Sequence, residues 1–262
     1  MLKKRLIPIL YIKNGLIVRS ENFNEFKALG NVVNELRRYN EWDIDELFYI
    51  DISREKNYDS RRDDHKVQRV KSIKDILKLV SKECFMPLTF GGGIRDFETI
   101  DYYLKNGADK VVVNTLIHKD PDIIKKAVQN FGSQAIVAAI DFKQNDGDIS
   151  FYCSHGLEKL DLTIEEMANV ISALGCGELL ITSIDKDGSG EGYDLDGYNK
   201  IAEFFPKIPK VIAGGAISTF DIEEAAREDL VSGVAAGNMF HFTENIYRIT
   251  KKSLKSKELN FR

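Results

Sequence analysis

Short apolar runs alternate with longer amphipathic stretches along most of this chain. The clearest run lies within residues 133–143, Ser-Gln-Ala-Ile-Val-Ala-Ala-Ile-Asp-Phe-Lys, and is apolar without a break from 135 to 140. Too short for an ordinary helix and lacking polar alternation, it predicts a parallel strand buried on both faces. Seven more runs read the same way, at 5–12, 46–52, 86–90, 110–113, 178–183, 210–213 and 233–236. Between them, residues 73–80, 97–106, 122–131, 164–174, 195–205 and 221–228 carry apolar positions at helical spacing. Strands alternating with helices make βαβ units around a parallel sheet. Eight units in 262 residues predict one α/β domain over 1–262, a closed (β/α)8 TIM barrel. A doubly wound open sheet is the alternative, but its Gly-x-Gly-x-x-Gly after the first strand is absent.

The chain also resembles itself. Tyr11-Ile-Lys13 aligns with Asp141-Phe-Lys143, and Glu46-Leu47 with Glu178-Leu179. Gly91-Gly-Gly-Ile-Arg-Asp-Phe97 aligns with Gly214-Gly-Ala-Ile-Ser-Thr-Phe220, and Val113-Asn-Thr115 with Ala236-Gly-Asn238. Matches in this order, half a chain apart, predict two half-barrel repeats, about 1–125 and 126–250.

Composition narrows the function classes. A 43% hydrophobic and 30% charged chain with net charge −4 has a sizeable core and lacks the basic excess of a general nucleic-acid binder. No apolar run approaches the roughly 18 residues a membrane span needs, and the N-terminus has no cleavage site, so a cytoplasmic location is expected. Cys84, Cys153 and Cys176 have neither metal nor disulfide spacing and read as small hydrophobes. The charged segment 53–71 reads as a solvated loop, or as a lid over the strand C-terminal ends. Residues 22–31 read as a second candidate for a mobile active-site loop, and the lysine-rich tail from Lys251 as frayed.

Asp141 ends the organising strand, on the side where barrel enzymes keep their chemistry; the plainer reading is a residue that orients the next loop. Gly91-Gly92-Gly93 and Asn114-Thr115 follow the third and fourth strands; Gly214-Gly215 and Gly237-Asn238 follow the seventh and eighth. Glycines let backbone N–H groups approach an anion closely. The symmetric pairs suit an elongated ligand with a phosphate at each end, and Asp187-Gly188 reads as a further ligand-facing loop. His118, His155 and His241 lack metal spacing and read as structural or surface residues.

These motifs resemble the cyclase subunit of imidazole glycerol phosphate synthase, the HisF type. The resemblance rests on Asp45-Glu46-Leu47, Phe90-Gly-Gly-Gly-Ile94, Gly107-Ala-Asp-Lys110, Ala139-Ile-Asp141, Thr182-Ser-Ile-Asp-Lys-Asp-Gly188 and Phe240-His-Phe242. It implies a half-barrel-duplicated (β/α)8 fold, no cofactor and no metal. It also implies a glutaminase subunit at the N-terminal face and ammonia passing through the barrel to a phosphorylated substrate. Asp141 falls on the strand-5 catalytic aspartate, and Arg5, Glu46, Lys110 and Glu178 on the charged ring at the ammonia entrance. Asp109 falls on the glutaminase-facing edge. Gly92, Gly93, Asn114 and Thr115 fall at one phosphate site; Asp187, Gly188, Gly214, Gly215, Gly237 and Asn238 fall at or beside the other.

The chain departs from the family at Tyr11, where the strand-1 catalytic aspartate belongs. A phenol with a pKa near 10 is no general base at neutral pH, and its bulk intrudes on substrate space. The stretch Ser154-His-Gly-Leu-Glu-Lys159 and the charged 53–71 insertion also differ. Glu83-Cys-Phe-Met-Pro87 resembles a subgroup that supplies ammonia for sugar amidation in surface-polysaccharide biosynthesis, beside a separate sugar amidotransferase. That ammonia-channelling role is the leading expectation. The alternatives are the histidine-pathway cyclase and a non-catalytic scaffold.

Overall fold

The computed structural model describes residues 3–54, 58 and 70–262; most of the charged 53–71 segment lies outside them. The first half contains β1 (Arg5–Lys13), β2 (Leu16–Glu21), β3 (Glu25–Asn31), α1 (Val32–Trp42), β4 (Leu47–Asp51), α2 (Ile73–Glu83), β5 (Leu88–Gly91), α3 (Phe97–Lys105), β6 (Lys110–Val113), α4 (Thr115–Lys119) and α5 (Pro121–Phe131). The second contains β7 (Ile136–Asn145), β8 (Asp148–Cys153), β9 (Glu158–Leu160), α6 (Ile164–Leu174), β10 (Glu178–Ser183), α7 (Leu195–Ala202), β11 (Lys210–Ala213), α8 (Thr219–Arg227), β12 (Gly233–Ala236), α9 (Met239–Phe242) and α10 (Ile246–Ser256).

Eight parallel strands pair in the order β1, β4, β5, β6, β7, β10, β11, β12, and β12 returns to β1. The sheet therefore closes into the expected (β/α)8 barrel. Alternation along each strand sends one set of side chains inward. Ile7, Ile9, Phe48, Val137, Leu180 and Val211 fill the interior, with Ala139, Ala213 and Ala235 where space is short. The outward set packs against the helices in a second apolar layer. Period-two spacing then fixes the ends of the inner columns. Arg5 lies below Ile7 and Ile9 with Tyr11 above; Asp141 stands above Val137 and Ala139. Helix starts are set by side-chain caps, Ser72, Asp96, Thr163 and Ser218 each accepting from a first-turn N–H.

Two expectations are corrected. Residues 22–31 are not a loop: after a turn at Asn22–Asn24, β3 runs antiparallel to β2. This ribbon is exposed along much of β3, so it lacks the apolar signature of a barrel strand. Ser154–Leu157, in the stretch that differs from the family, is the turn of the β8–β9 hairpin. The chain end is not frayed either. Lys251 lies within α10, and Phe261 is buried beside β1, where the Lys4 N–H donates to the Asn260 carbonyl at 2.7 Å. Alternating lysines concealed that buried stripe of Tyr247, Thr250 and Leu254.

Candidate active site

Two cavities open at the C-terminal end of the barrel. The larger, about 540 Å³, is lined by Gly92, Gly93, Asn114, Thr115 and Asp141, together with Lys13, Phe23 and Arg95. The smaller, about 170 Å³, is lined by Asp187, Gly188, Gly214, Gly215, Gly237 and Asn238, together with Arg19 and Phe242. Each sequence-derived glycine set thus gathers in its own cavity. Ile9 and Tyr11 are the residues common to both linings.

The glycines differ in what holds them. A Cβ on Gly92, at φ +94°, would stand 1.9 Å from the Asp51 carbonyl oxygen; one on Gly93, at φ +63°, would meet nothing within 4 Å. Gly92→Ala is therefore expected to cost clearly more than Gly93→Ala, which carries only the backbone strain of about 1–3 kcal/mol. Thermal unfolding of the two variants checks this; equal losses would refute it.

Asp141 is half-buried and accepts from Asn114 Nδ2 at 3.1 Å. The Asn114 Oδ1 atom is buried without a hydrogen-bond partner among the described residues. Burial, reinforced by the nearby Asp187 charge, pushes the Asp141 carboxyl up to about 7. Asp187, buried and holding the Ser20 hydroxyl and the Phe23 N–H, is pushed up to about 6, chiefly by burial. Tyr11 lies between these carboxylates in the charge sense. Burial first, then Asp187 and Asp141, hold its phenol well above the ordinary value, so it is a neutral donor. Its ring meets Phe23 edge-on at 6.2 Å.

At the opposite end the four predicted charges meet. Arg5 donates to Glu46 and Glu178, and Lys110 Nζ donates to the same two carboxylates at 2.8 and 2.7 Å. The result is a closed ring of alternating sign, with Thr89 Oγ1 donating to Glu46 at 2.8 Å. Asp109 lies exposed on this face, accepting from the Leu88 N–H at 2.8 Å.

The sequence reading names neither Ser20 nor the individual residues Phe23 and Phe26; the latter two fall in the 22–31 segment expected as an active-site loop, and the structure sets them at the larger cavity on the β2–β3 ribbon instead. His155 reads as structural or surface, whereas the left-handed turn Ser154–Gly156 sets it in the larger cavity. Thr182 escapes the sequence reading as well. It pairs in register with Asp141, a position that inward alternation along the sixth barrel strand marks. Among the described residues no His, Cys, Asp and Glu group is arranged to hold a metal. No helix of theirs is long and apolar enough to cross a membrane.

Comparison with known proteins places this architecture. A model of the family described as "Histidine biosynthesis protein" matches residues 5–245. The imidazole glycerol phosphate synthase subunit HisF of Alkaliphilus metalliredigens is 36% identical, with both chains covered in full. That of Exiguobacterium sp. is 37% identical over all of this chain and 97% of the relative. The Streptococcus mutans subunit is 35% identical, again over both full lengths. The chain belongs to the HisF family of imidazole glycerol phosphate synthase cyclase subunits. In this HisF-type chain β1 carries Tyr11 at the boundary of the two cavities, and β7 carries Asp141 in the lining of the larger one.

Proposed function

We propose that this HisF-type chain accepts ammonia from a glutaminase subunit at its N-terminal face and uses it on a phosphorylated substrate at the C-terminal mouth. The observation that carries this is the pairing of a charged ring at one end of the barrel with glycine-lined cavities at the other. Between them the interior is apolar, a path open to neutral NH3 and costly for ions. The ring has zero net charge, and Lys110, with a side chain 20% exposed on a flexible stem, is the member that can swing aside. In this reading Arg5, Glu46, Lys110 and Glu178 form the gate, Asp109 belongs to the glutaminase contact, and the glycine sets are the phosphate-binding elements, both of them engaged when the substrate is a bis-phosphate. The halves 1–125 and 126–250 are duplicates, a reading supported by the parallel glycine motifs.

The names of the relatives favour one product. The substrate is then a bis-phosphate ribulosyl compound. With ammonia it yields imidazole glycerol phosphate and aminoimidazole carboxamide ribotide, in histidine biosynthesis. Asp141 suits this work, since a carboxyl near 7 both takes and returns protons at neutral pH. A second reading is favoured by Tyr11, which puts a non-basic phenol where cyclisation calls for a second carboxylate. The ammonia then goes to a sugar acceptor in surface-polysaccharide biosynthesis, with a sugar amidotransferase at the mouth.

An assay with the bis-phosphate ribulosyl substrate and excess ammonium at alkaline pH separates them, because external ammonia bypasses the glutaminase. Wild-type turnover of about 1 s⁻¹ or more supports the cyclase. A silent wild type beside a Tyr11→Asp variant that gains turnover supports delivery to another acceptor.

A further inference from the structure

The two cavities at the mouth differ in more than volume. The larger has the size of a site for a small organic ligand, and the smaller is below that range. Among the described residues Lys13, Arg54, Arg95 and Lys119 line the larger one with Asp141 and Glu158, and Lys119 already pairs with Glu158 at 2.7 Å. Among the described residues the smaller has Arg19 as its cation, against Asp187, and Arg19 already pairs with Glu21 at 3.3 Å. An anionic group therefore gains much more in the larger cavity. Its aromatic walls are also concentrated there: Phe23 and Phe26 line it, and Lys13 Nζ sits 4.3 Å from the Phe26 ring centroid.

Between the cavities stands Tyr11. Its ring is held edge-on against Phe23, and Phe23 is itself fixed by its N–H to Asp187, at 3.5 Å, in the β2–β3 turn. That turn is tied down by the Asn22 N–H donating to the Asp187 carbonyl at 2.7 Å and by Asn238 Nδ2 donating to the Ser20 carbonyl at 2.9 Å. The ring has little freedom to swing away from the line joining the two glycine sets.

We propose that Tyr11 acts as a partition that makes this mouth a site for a phosphomonoester, a sugar or nucleoside with one phosphate end held in the larger cavity, and excludes ligands with a phosphate at each end. The inference rests on reading the mouth as a phosphate-ligand site, and it departs from the bis-phosphate ribulosyl reading, which needs both glycine sets occupied at once. A ligand spanning both glycine sets has to displace the ring, giving up its contact with Phe23. It also has to seat a second dianion beside Asp187, where, among the described residues, the already paired Arg19 is the counter-charge.

Calorimetric titration with ribose 5-phosphate and with bisphosphates of graded length, from ribulose 1,5-bisphosphate up to long-chain alkanediol bisphosphates, tests this on the wild type, Tyr11→Ala and Tyr11→Ala/Arg19→Ala, each checked for native circular dichroism. The wild type is expected to bind every bisphosphate no more than about threefold tighter than the monophosphate. Tyr11→Ala is expected to tighten binding of the bisphosphates long enough to span both glycine sets by about tenfold or more, with the monophosphate within about threefold. Adding Arg19→Ala is expected to remove that gain, because it strips the second cavity of its cation. A bisphosphate preference of tenfold or more in the wild type, unchanged by Tyr11→Ala, overturns the partition while leaving the phosphate site standing. Binding of none of these ligands overturns the phosphate-site reading and the partition with it. Should Tyr11→Ala lose its native spectrum, the wild-type ratio alone decides.

Discussion

Glu46→Ala is expected to cost the barrel about 3–5 kcal/mol of unfolding free energy, the usual range for removing one partner of a buried charge network. Glu46 is 1% exposed and accepts from Arg5, Lys110 and Thr89 at once. Truncating it leaves two cations facing the single carboxylate of Glu178 in a site that water reaches poorly. Glu178 shows how strongly the ring is coupled. Burial alone would push its carboxyl up, yet Arg5 and Lys110 hold it below the ordinary value. Lys110→Ala is expected to cost less, about 1–3 kcal/mol. Its ammonium is partly solvated, and both carboxylates keep Arg5. Urea unfolding of the two variants beside wild type reads the difference from the midpoints. Equal, small losses would mean that the ring is solvated and contributes little. The contrast also selects the probe for function. Lys110→Ala is the variant in which loss of glutamine-driven, but not ammonium-driven, turnover is separable from loss of fold.

The four members of that ring were named through the family resemblance. Local pattern marked only that Glu46-Leu47 and Glu178-Leu179 repeat at matching places in the two halves. The barrel was legible directly, since continuous apolar runs of strand length mark a parallel sheet covered on both faces. Asp141 stood out as the first charge after the longest such run. The β2–β3 and β8–β9 ribbons were not legible. They lie over the mouth with one side in solvent, so their hydrophobic alternation is diluted, and their turns rest on left-handed Asn22, Phe23, Ser154 and His155 rather than on glycine alone. The division of the mouth was also out of reach. Sequence placed Tyr11 at a strand end, but the partition depends on Phe23, which reaches it from a ribbon that local pattern did not reveal.

Asp141→Asn is expected to stabilise the protein, and more so as pH rises. The Asp141 carboxyl is pushed up to about 7 by burial and then by Asp187, against about 3.9 in an unfolded chain. The folded state therefore binds more protons than the unfolded state between about pH 4 and 7. Its stability falls as pH rises through that window. Below the window both states are protonated and nothing is lost. Above it the full cost of a buried charge applies, at about 1.4 kcal/mol per pKa unit. Allowing for the partial exposure of the side chain, the penalty at pH 8 is about 2–4 kcal/mol. Asparagine removes the charge and keeps an oxygen to accept from Asn114 Nδ2. Scanning calorimetry at pH 5 and pH 8 should then show the variant gaining about 1–3 kcal/mol more over wild type at the higher pH. An equal gain at both values, or a loss at pH 8, would show that the carboxylate is satisfied where it stands and is there for packing. A pH-dependent gain, accompanied by loss of any ammonium-driven turnover, would mark Asp141 as a charge the fold tolerates for the sake of its chemistry.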